Sequence, residues 1–135
     1  MSDDAACEID RPDVVAEVRA AFERYERALL ANDVEVLIEL FWDSDRTVRY
    51  GVDEIHHGHA AIAGYRRSQA AATLPRTLRG TTVTAFGDDV AVVDTEFLPD
   101  GSDAVGRQSQ TWVRTGAGWR VASAHVSWLG GRAPA

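Results

Sequence analysis

Hydrophobic positions recur every three or four residues in the first half of the chain and every second residue in the second half. These two periods predict helices followed by strands. The first helical stripe consists of Val15, Val18, Phe22, Tyr25 and Leu29. Asp10 and Pro12 precede it and are typical of a helix start. We therefore predict a first helix that begins after Asp10 and packs this stripe against the core.

Two shorter helices and one short strand complete the first half. Asn32-Asp33 ends the first helix and favours the start of a second, which extends to about residue 41. Residues 47–50 are β-branched, aromatic or Arg and predict a short strand. Small residues around Ile62 predict a third helix over 58–69.

The second half predicts an antiparallel sheet. Alternation is found in four runs, which cover 77–86, 90–98, 104–114 and 119–129. The segments between them are rich in Gly, Asp and Pro, which is typical of tight turns. Helices first and strands afterwards indicate an α+β fold, with the helices on one face of the sheet.

Length and composition limit the number of domains and the partners. The chain has 135 residues, which suits one domain, predicted over 11–129 between a flexible leader, 1–10, and a flexible tail, 130–135. The net charge is -7 and no basic cluster is present, so we expect no nucleic-acid partner. The acidic N-terminus and short apolar runs predict neither signal peptide nor membrane span. A single cysteine, Cys7, fits a cytoplasmic location.

Several motifs resemble those of one known family. They are Leu40-Phe41-Trp42, Arg46-Thr47-Val48-Arg49-Tyr50-Gly51, the run from Gly106 to Val113, Gly118-Trp119-Arg120-Val121 and His125-Val126-Ser127. Over residues 12–129 the chain resembles the AtzH-like family of the NTF2-like superfamily, which also includes ketosteroid isomerase and SnoaL-type cyclases. The resemblance implies a cone in which three N-terminal helices close over a curved antiparallel sheet that lines one pocket.

The resemblance also implies a ligand and a function. The family includes the oxalurate-catabolism protein HpxZ, and a further member is associated with hydrolytic breakdown of 1,3-dicarboxyurea in s-triazine catabolism. A small, anionic, amide-bearing ligand is therefore expected, with an amide hydrolase of ureide catabolism as the activity. The alternative is a non-catalytic accessory protein that binds a small anion beside a pathway amidase. The residues that the family implies correspond to Tyr25 and Arg49, and no cofactor is expected.

The predicted ligand-binding residues lie on two strands. Arg49 has the planar guanidinium that matches a carboxylate, although a surface ion pair is its ordinary alternative. Tyr50 is its neighbour on the same strand and is included with it. On the third long strand, Gln108, Gln110 and Trp112 share one face, which we interpret as a polar wall of the pocket. The same face can instead lie outside or form a dimer interface.

Three residues are candidates for acid-base catalysis: Tyr25, His125 and Glu96. Each has a structural alternative: a core tyrosine bonded to backbone, a hydrogen-bonded structural histidine, and a carboxylate paired with Arg107. Ser123 is two residues from His125 on the same strand, a spacing that does not form a nucleophilic triad.

Two further features bear on metals and partners. Residues 56–59 hold three histidines on a predicted loop, but adjacent histidines point apart and no acidic ligand follows, so no metal site is expected. The resemblance implies a homodimer formed through the convex face of the sheet. Val126 and Trp128 are the apolar residues predicted to lie in that interface.

Overall fold

A computed structural model describes residues 6–69 and 73–134. Its helices are α1 (Pro12–Ala31), α2 (Val34–Glu39) and α3 (His59–Ser68). Its strands are β1 (Val48–Tyr50), β2 (Ile55–His57), β3 (Arg76–Phe86), β4 (Val90–Pro99), β5 (Gly106–Thr115) and β6 (Gly118–Trp128), and a 3₁₀ turn, Leu129–Gly131, follows. The strands form one open sheet in the order β2-β1-β6-β5-β4-β3. All neighbours are antiparallel except β1 and β6, so the predicted α+β class is confirmed.

The core lies between helix α1 and the inner face of the sheet, which is the face that α1 covers. The helix contacts β3, β4 and β6, and α2 packs against both α1 and α3. Buried side chains from α1 meet Val93 on β4, Trp112 on β5 and Val121 on β6. Within the described ranges 6–69 and 73–134, none of the helices has the length and apolar character needed to cross a membrane.

The chain before α1 pairs with the sheet. Ile9 forms a β-bridge with Phe86, and the carboxylate of Asp10 accepts a hydrogen bond from the backbone N–H of Ala85. The position of Asp10 in the sequence predicted a cap for α1. Its carboxylate binds β3 instead and does not cap the helix. Residues 9 and 10 hold the chain against β3, whereas the predicted flexibility of 1–5 and of Ala135 lies outside the described residues.

The histidine-rich segment before α3 is a strand and not the predicted loop. His56 and His57 lie on β2, which pairs antiparallel with β1. Their side chains point to opposite faces, as alternation along a strand requires. Among the residues that the structure describes, no group of three or more His, Cys, Asp or Glu side chains is arranged to bind a metal.

Strand β6 contains a bulge that changes which side chains face the helices. Its pairing with β5 shifts beside Trp112, so that Ala122 has no partner opposite it. An extra residue of this kind interrupts the alternation. Strict alternation along β6 would place His125 on the same face as Trp119 and Val121, but the bulge moves His125 to the opposite face. The inner face instead carries Trp119, Val121, Ala124, Val126 and Trp128.

Candidate anion-binding site

A cavity of about 240 Å³ lies between α1, α3 and the inner face of the sheet. Its size suits a small molecule rather than a steroid-sized one. Both helices and three strands contribute polar side chains to it, among them Tyr25, Arg49, Arg66, Arg76, Gln108 and Gln110. Three guanidinium groups thus surround one small space.

Arg66 reaches the cavity from the buried face of α3. It is only 6% exposed, and its Nη2 donates a hydrogen bond of 2.8 Å to the hydroxyl oxygen of Tyr25. Its Nε is buried and has no hydrogen-bond partner in the described part of the chain. No carboxylate of residues 6–69 and 73–134 forms an ion pair with it. Because burying a charge without a counter-ion is costly, Arg66 is suited to bind an anion.

Arg49 has a carboxylate partner inside the fold. Its Nη1 lies 3.1 Å from Oε1 of Glu54, and its guanidinium lies over the ring of Tyr65 at 4.8 Å. Burial raises the pKa of Glu54, but hydrogen bonds from Arg49 and Tyr65 outweigh burial, so this pKa lies below its ordinary value. The pair is therefore ionised near neutral pH and its charges compensate each other.

Arg76 is also neutralised by a carboxylate. Its Nε and Nη2 donate to the two carboxylate oxygens of Glu26 at 2.8 and 2.7 Å, which is the bidentate geometry of a strong ion pair. Arg49 and Arg76 thus each have a carboxylate partner, whereas Arg66 has none among residues 6–69 and 73–134. Within the described residues, the cavity retains one positive charge without a compensating carboxylate.

His56 and Tyr65 form the wall behind Arg49. Their ring centroids lie 4.6 Å apart with the planes tilted by 41°, and the Nε2 atom of His56 is buried without a hydrogen-bond partner among the described residues. Burial and the nearby charge of Arg49 lower the pKa of His56 below its ordinary value. Burial and the hydrogen bond to Glu54 raise the pKa of Tyr65. At neutral pH both rings are uncharged, so the charge of the cavity comes from the arginines.

Comparison with known proteins identifies the family of this cavity-bearing fold. The AtzH-like family model matches residues 7–132, which is nearly the whole chain. The chain belongs to the AtzH-like family. No curated protein matches it.

Solved structures place this AtzH-like chain among proteins of the same shape. A protein of unknown function from Pectobacterium atrosepticum is 50% identical, with a TM-score of 0.86 over 90% of this chain and 94% of that one. A cystatin-like fold protein from Burkholderia xenovorans is 46% identical, with a TM-score of 0.87 over 92% and 98%. An NTF2-like protein from Pseudomonas putida is 22% identical, with a TM-score of 0.70 over 85% and 86%. These similarities confirm the predicted NTF2-like, or cystatin-like, fold.

Four of the predicted site residues of this AtzH-like chain have side chains at the cavity. Tyr25 lies on α1 and Arg49 on β1, while Gln108 and Gln110 lie on the inner face of β5. Trp112 belongs to the same face, but its side chain is fully buried beside Tyr25 and does not line the cavity. Its Nε1 donates a hydrogen bond of 3.1 Å to Oε1 of Gln110, and its role in contacting the ligand stays a prediction.

Tyr50 and His125 border the cavity, but their side chains lie on the outer face of the sheet. His125 pairs with the exposed Ser109, and it lies between Ala124 and Val126, which face inward. The rings of Tyr50 and His125 pack edge to face at 5.5 Å. The bulge in β6 and the alternation of β1 turn both rings away from the cavity, and the roles of His125 in catalysis and of Tyr50 in binding stay predictions.

Glu96 also lies on the outer face. Its carboxylate accepts a 3.0 Å hydrogen bond from Nε of Arg79, a partner on β3, and not from Arg107 as the structural alternative predicted. The inner face of β4 at this point carries Thr95 and Phe97. The carboxylate of Glu96 therefore does not line the cavity, and its role as a base stays a prediction.

The predicted dimer residues face the other way as well. Val126 lines the cavity, and the ring of Trp128 packs against Phe97 at 5.2 Å on the inner face. Neither supplies apolar surface to the convex face of the sheet. Homodimer formation through that face stays a prediction without these two residues.

Arg66 and Arg76 are the charged cavity residues that the sequence-based prediction missed. Arg66 is four residues after the buried Ile62 and three after the buried Ala63, so it lies on the core-facing stripe of α3. That spacing was the available signal, because an arginine on an apolar stripe needs a partner or a ligand. Arg76 begins β3, where position alone does not distinguish a buried arginine from an exposed one.

Proposed function

We propose that the protein hydrolyses an amide or carbamate bond of a small carboxylated urea or ureide, of the 1,3-dicarboxyurea or oxalurate type. The proposal combines the family with the cavity. An AtzH-like chain is expected to act in the catabolism of such nitrogen compounds. The ligand is small, carries a carboxylate and offers several oxygen acceptors, and these properties match a cavity rich in guanidinium and amide donors.

The uncompensated charge of Arg66 is the observation that carries this proposal. A carboxylate beside Arg66 would accept hydrogen bonds from its guanidinium and would neutralise the buried charge. A neutral or cationic ligand would leave that charge unpaired in a buried site. Anionic ureides are therefore preferred over the apolar enones that an isomerase of this fold class would take.

The proposed chemistry needs a water molecule and a polarised carbonyl. The water oxygen bonds to the carbonyl carbon, the carbon–nitrogen bond breaks, and the proton that the water loses goes to the leaving nitrogen. Arg66 already donates to Oη of Tyr25, so the phenolic proton is available to the ligand. Hydrogen bonds from Tyr25 and the glutamines would stabilise the negative charge that develops on the carbonyl oxygen. The proposal uses no metal or organic cofactor.

A non-catalytic binding protein is the second candidate, and one observation favours it. The carboxylates nearest the cavity, Glu26 and Glu54, are held by Arg76 and Arg49, and the ring of His125 is on the outer face. Of the three predicted acid-base residues, Tyr25 and His125 border the cavity, but only Tyr25 lies on a buried face that points into it. Such a site can hold a carboxylated urea for a separate amidase.

One experiment separates these two functions. Purified protein is incubated with 1,3-dicarboxyurea, allophanate and oxalurate, products are quantified by chromatography, and binding is measured calorimetrically in parallel. The hydrolase proposal expects turnover of one compound, lost in Tyr25→Phe and in Arg66→Gln. Tight binding of one compound with no product over the uncatalysed rate would overturn it in favour of the binding protein.

A further inference from the structure

Gln108 lines the cavity, and its amide group has a fixed orientation because of its hydrogen-bond partner. Nη2 of Arg76 lies 3.3 Å from Oε1 of Gln108. A guanidinium has donors and no acceptor, so the amide oxygen has to face Arg76. The amide nitrogen, Nε2, is consequently turned away from it. Gln108 is 7% exposed, and its Nε2 is buried without a hydrogen-bond partner among residues 6–69 and 73–134.

The neighbouring glutamine is oriented by the same logic. The indole Nε1 of Trp112 donates to Oε1 of Gln110 at 3.1 Å, and an indole N–H cannot accept. The amide group that Gln110 offers elsewhere is therefore its NH₂. Two residues apart on β5, both glutamines have their oxygens occupied by groups of the protein.

We propose that Gln108 is a specificity-determining residue that donates its Nε2 proton to a carbonyl or carboxylate oxygen of the ligand. This inference rests on the proposed function and adds the second recognition point. The ligand carries one carboxylate at Arg66 and an oxygen acceptor, rather than an N–H group, at Gln108. A buried donor that meets no acceptor is costly, so the site rejects ligands that lack this oxygen.

Arg76 is the positioning residue for this donor. Its other hydrogen bonds go to Glu26 in bidentate geometry, which fixes the guanidinium plane. That plane directs Nη2 at the amide oxygen of Gln108. A lysine at position 76 keeps the positive charge beside Glu26 but lacks the second arm that holds Gln108.

Two pairs of matched carboxylates test the inference. Acetoacetate is compared with 3-methylbut-3-enoate, and 4-oxopentanoate with 4-methylpent-4-enoate. Each pair has the same charge and nearly the same shape, and only the keto acid has the acceptor oxygen. Calorimetric titration of the wild-type chain should give about tenfold tighter binding of the keto acid in at least one pair. Equal affinities within both pairs, or no binding of any of the four, would overturn the inference.

Variants then assign the preference to Gln108. Gln108→Met should reduce the keto-acid preference to nearly one, and Arg76→Lys should reduce it severalfold with folding retained. Ser109→Ala, on the outer face of the same strand, and Arg79→Lys, in the exposed pair with Glu96, are the controls. A preference that persists in Gln108→Met would place the acceptor contact elsewhere and overturn the inference.

Arg66→Gln distinguishes this inference from the proposed function. It should weaken both members of a pair alike and leave their ratio unchanged. Unaltered affinities in Arg66→Gln would contradict the carboxylate anchor of the proposed function. A keto-acid preference of one in the wild type, together with a loss of affinity in Arg66→Gln, would contradict the role of Gln108 but not the carboxylate anchor at Arg66.

Discussion

Arg66 and Tyr25 meet inside the cavity, with Nη2 of the guanidinium 2.8 Å from the phenolic oxygen. Within the described residues neither group is bonded to a carboxylate. Helix α1 supplies the tyrosine and helix α3 the arginine, so their contact joins two elements that are 41 residues apart in the chain. A neutral phenol cannot compensate a buried positive charge, and this makes the contact a site for an anion rather than a closed structural pair.

Replacing Arg66 by Met is expected to stabilise the protein against unfolding when no ligand is added. The variant removes a buried charge without a counter-ion and keeps much of the side-chain volume. The free energy of unfolding should rise by about 1 kcal/mol or more, measured by urea denaturation. Arg67→Met, at the next and exposed position, should change it by less than about 0.5 kcal/mol. A loss of several kcal/mol in Arg66→Met alone would show that the guanidinium supports the fold.

The Arg49–Glu54 pair predicts a dependence of stability on acid pH. Because the pKa of Glu54 is lowered in the folded chain, its contribution to stability is present above pH 4.5, the ordinary value. The contribution is lost as the pH falls through the folded-state pKa. Glu54→Gln should therefore flatten the acid limb of a stability–pH curve. Glu35→Gln, at an exposed position on α2, is the control, and an equal effect of both variants would contradict the prediction.

His56 predicts a second dependence at higher pH. Its lowered pKa means that the unfolded chain gains a proton near pH 6.5 while the folded chain does not. The free energy of unfolding should therefore decrease as the pH is lowered from 6.5 to the folded-state pKa of His56. His56→Phe keeps the ring against Tyr65 and should reduce that fall, whereas His57→Phe on the outer face should not. Denaturation midpoints at half-unit pH steps measure both.

Gly106 is required where β5 passes under an aromatic ring. A Cβ built on Gly106 would lie 2.0 Å from the ring of Phe97, which also packs on Trp128. Gly106→Ala should lower the free energy of unfolding by about 1 to 3 kcal/mol, because the ring has to move. Gly116→Ala is the control, because no atom of the described part of the chain lies within 4 Å of the added methyl group. Equal stability of the two variants would show that Phe97 has room to shift.

The helices and long strands could be predicted because their period persists over many residues. The four strand runs agree with β3 to β6 to within two residues at each end. Strand β2 was missed because three residues, two of them histidine, are too few to show alternation. The bulge at Ala122 was missed because the sequence has no glycine there to indicate it, and that one residue reversed the predicted face of His125.

The candidate site was predicted only in part, for a related reason. Tyr25, Gln108 and Gln110 lie on stripes or faces that also carry core residues, so their inward direction follows from the period. Arg66 lies on such a stripe too, but a charged residue there contradicts the usual assignment to the surface. The charge of the site depends on which arginines form ion pairs. Whether Arg49, Arg66 or Arg76 has a carboxylate beside it depends on contacts between residues up to 50 positions apart, which the sequence pattern does not show.

Titration of oxalurate into the wild-type chain and into Arg66→Gln is the most direct test of an anion site built around Arg66. We expect binding to the wild type and an affinity at least about tenfold lower in the variant, since a charged hydrogen bond in a buried site is lost. Circular dichroism and thermal melting confirm that both chains are folded. Equal affinity of the two chains, or no binding of oxalurate, 1,3-dicarboxyurea or allophanate to the wild type, would contradict the account.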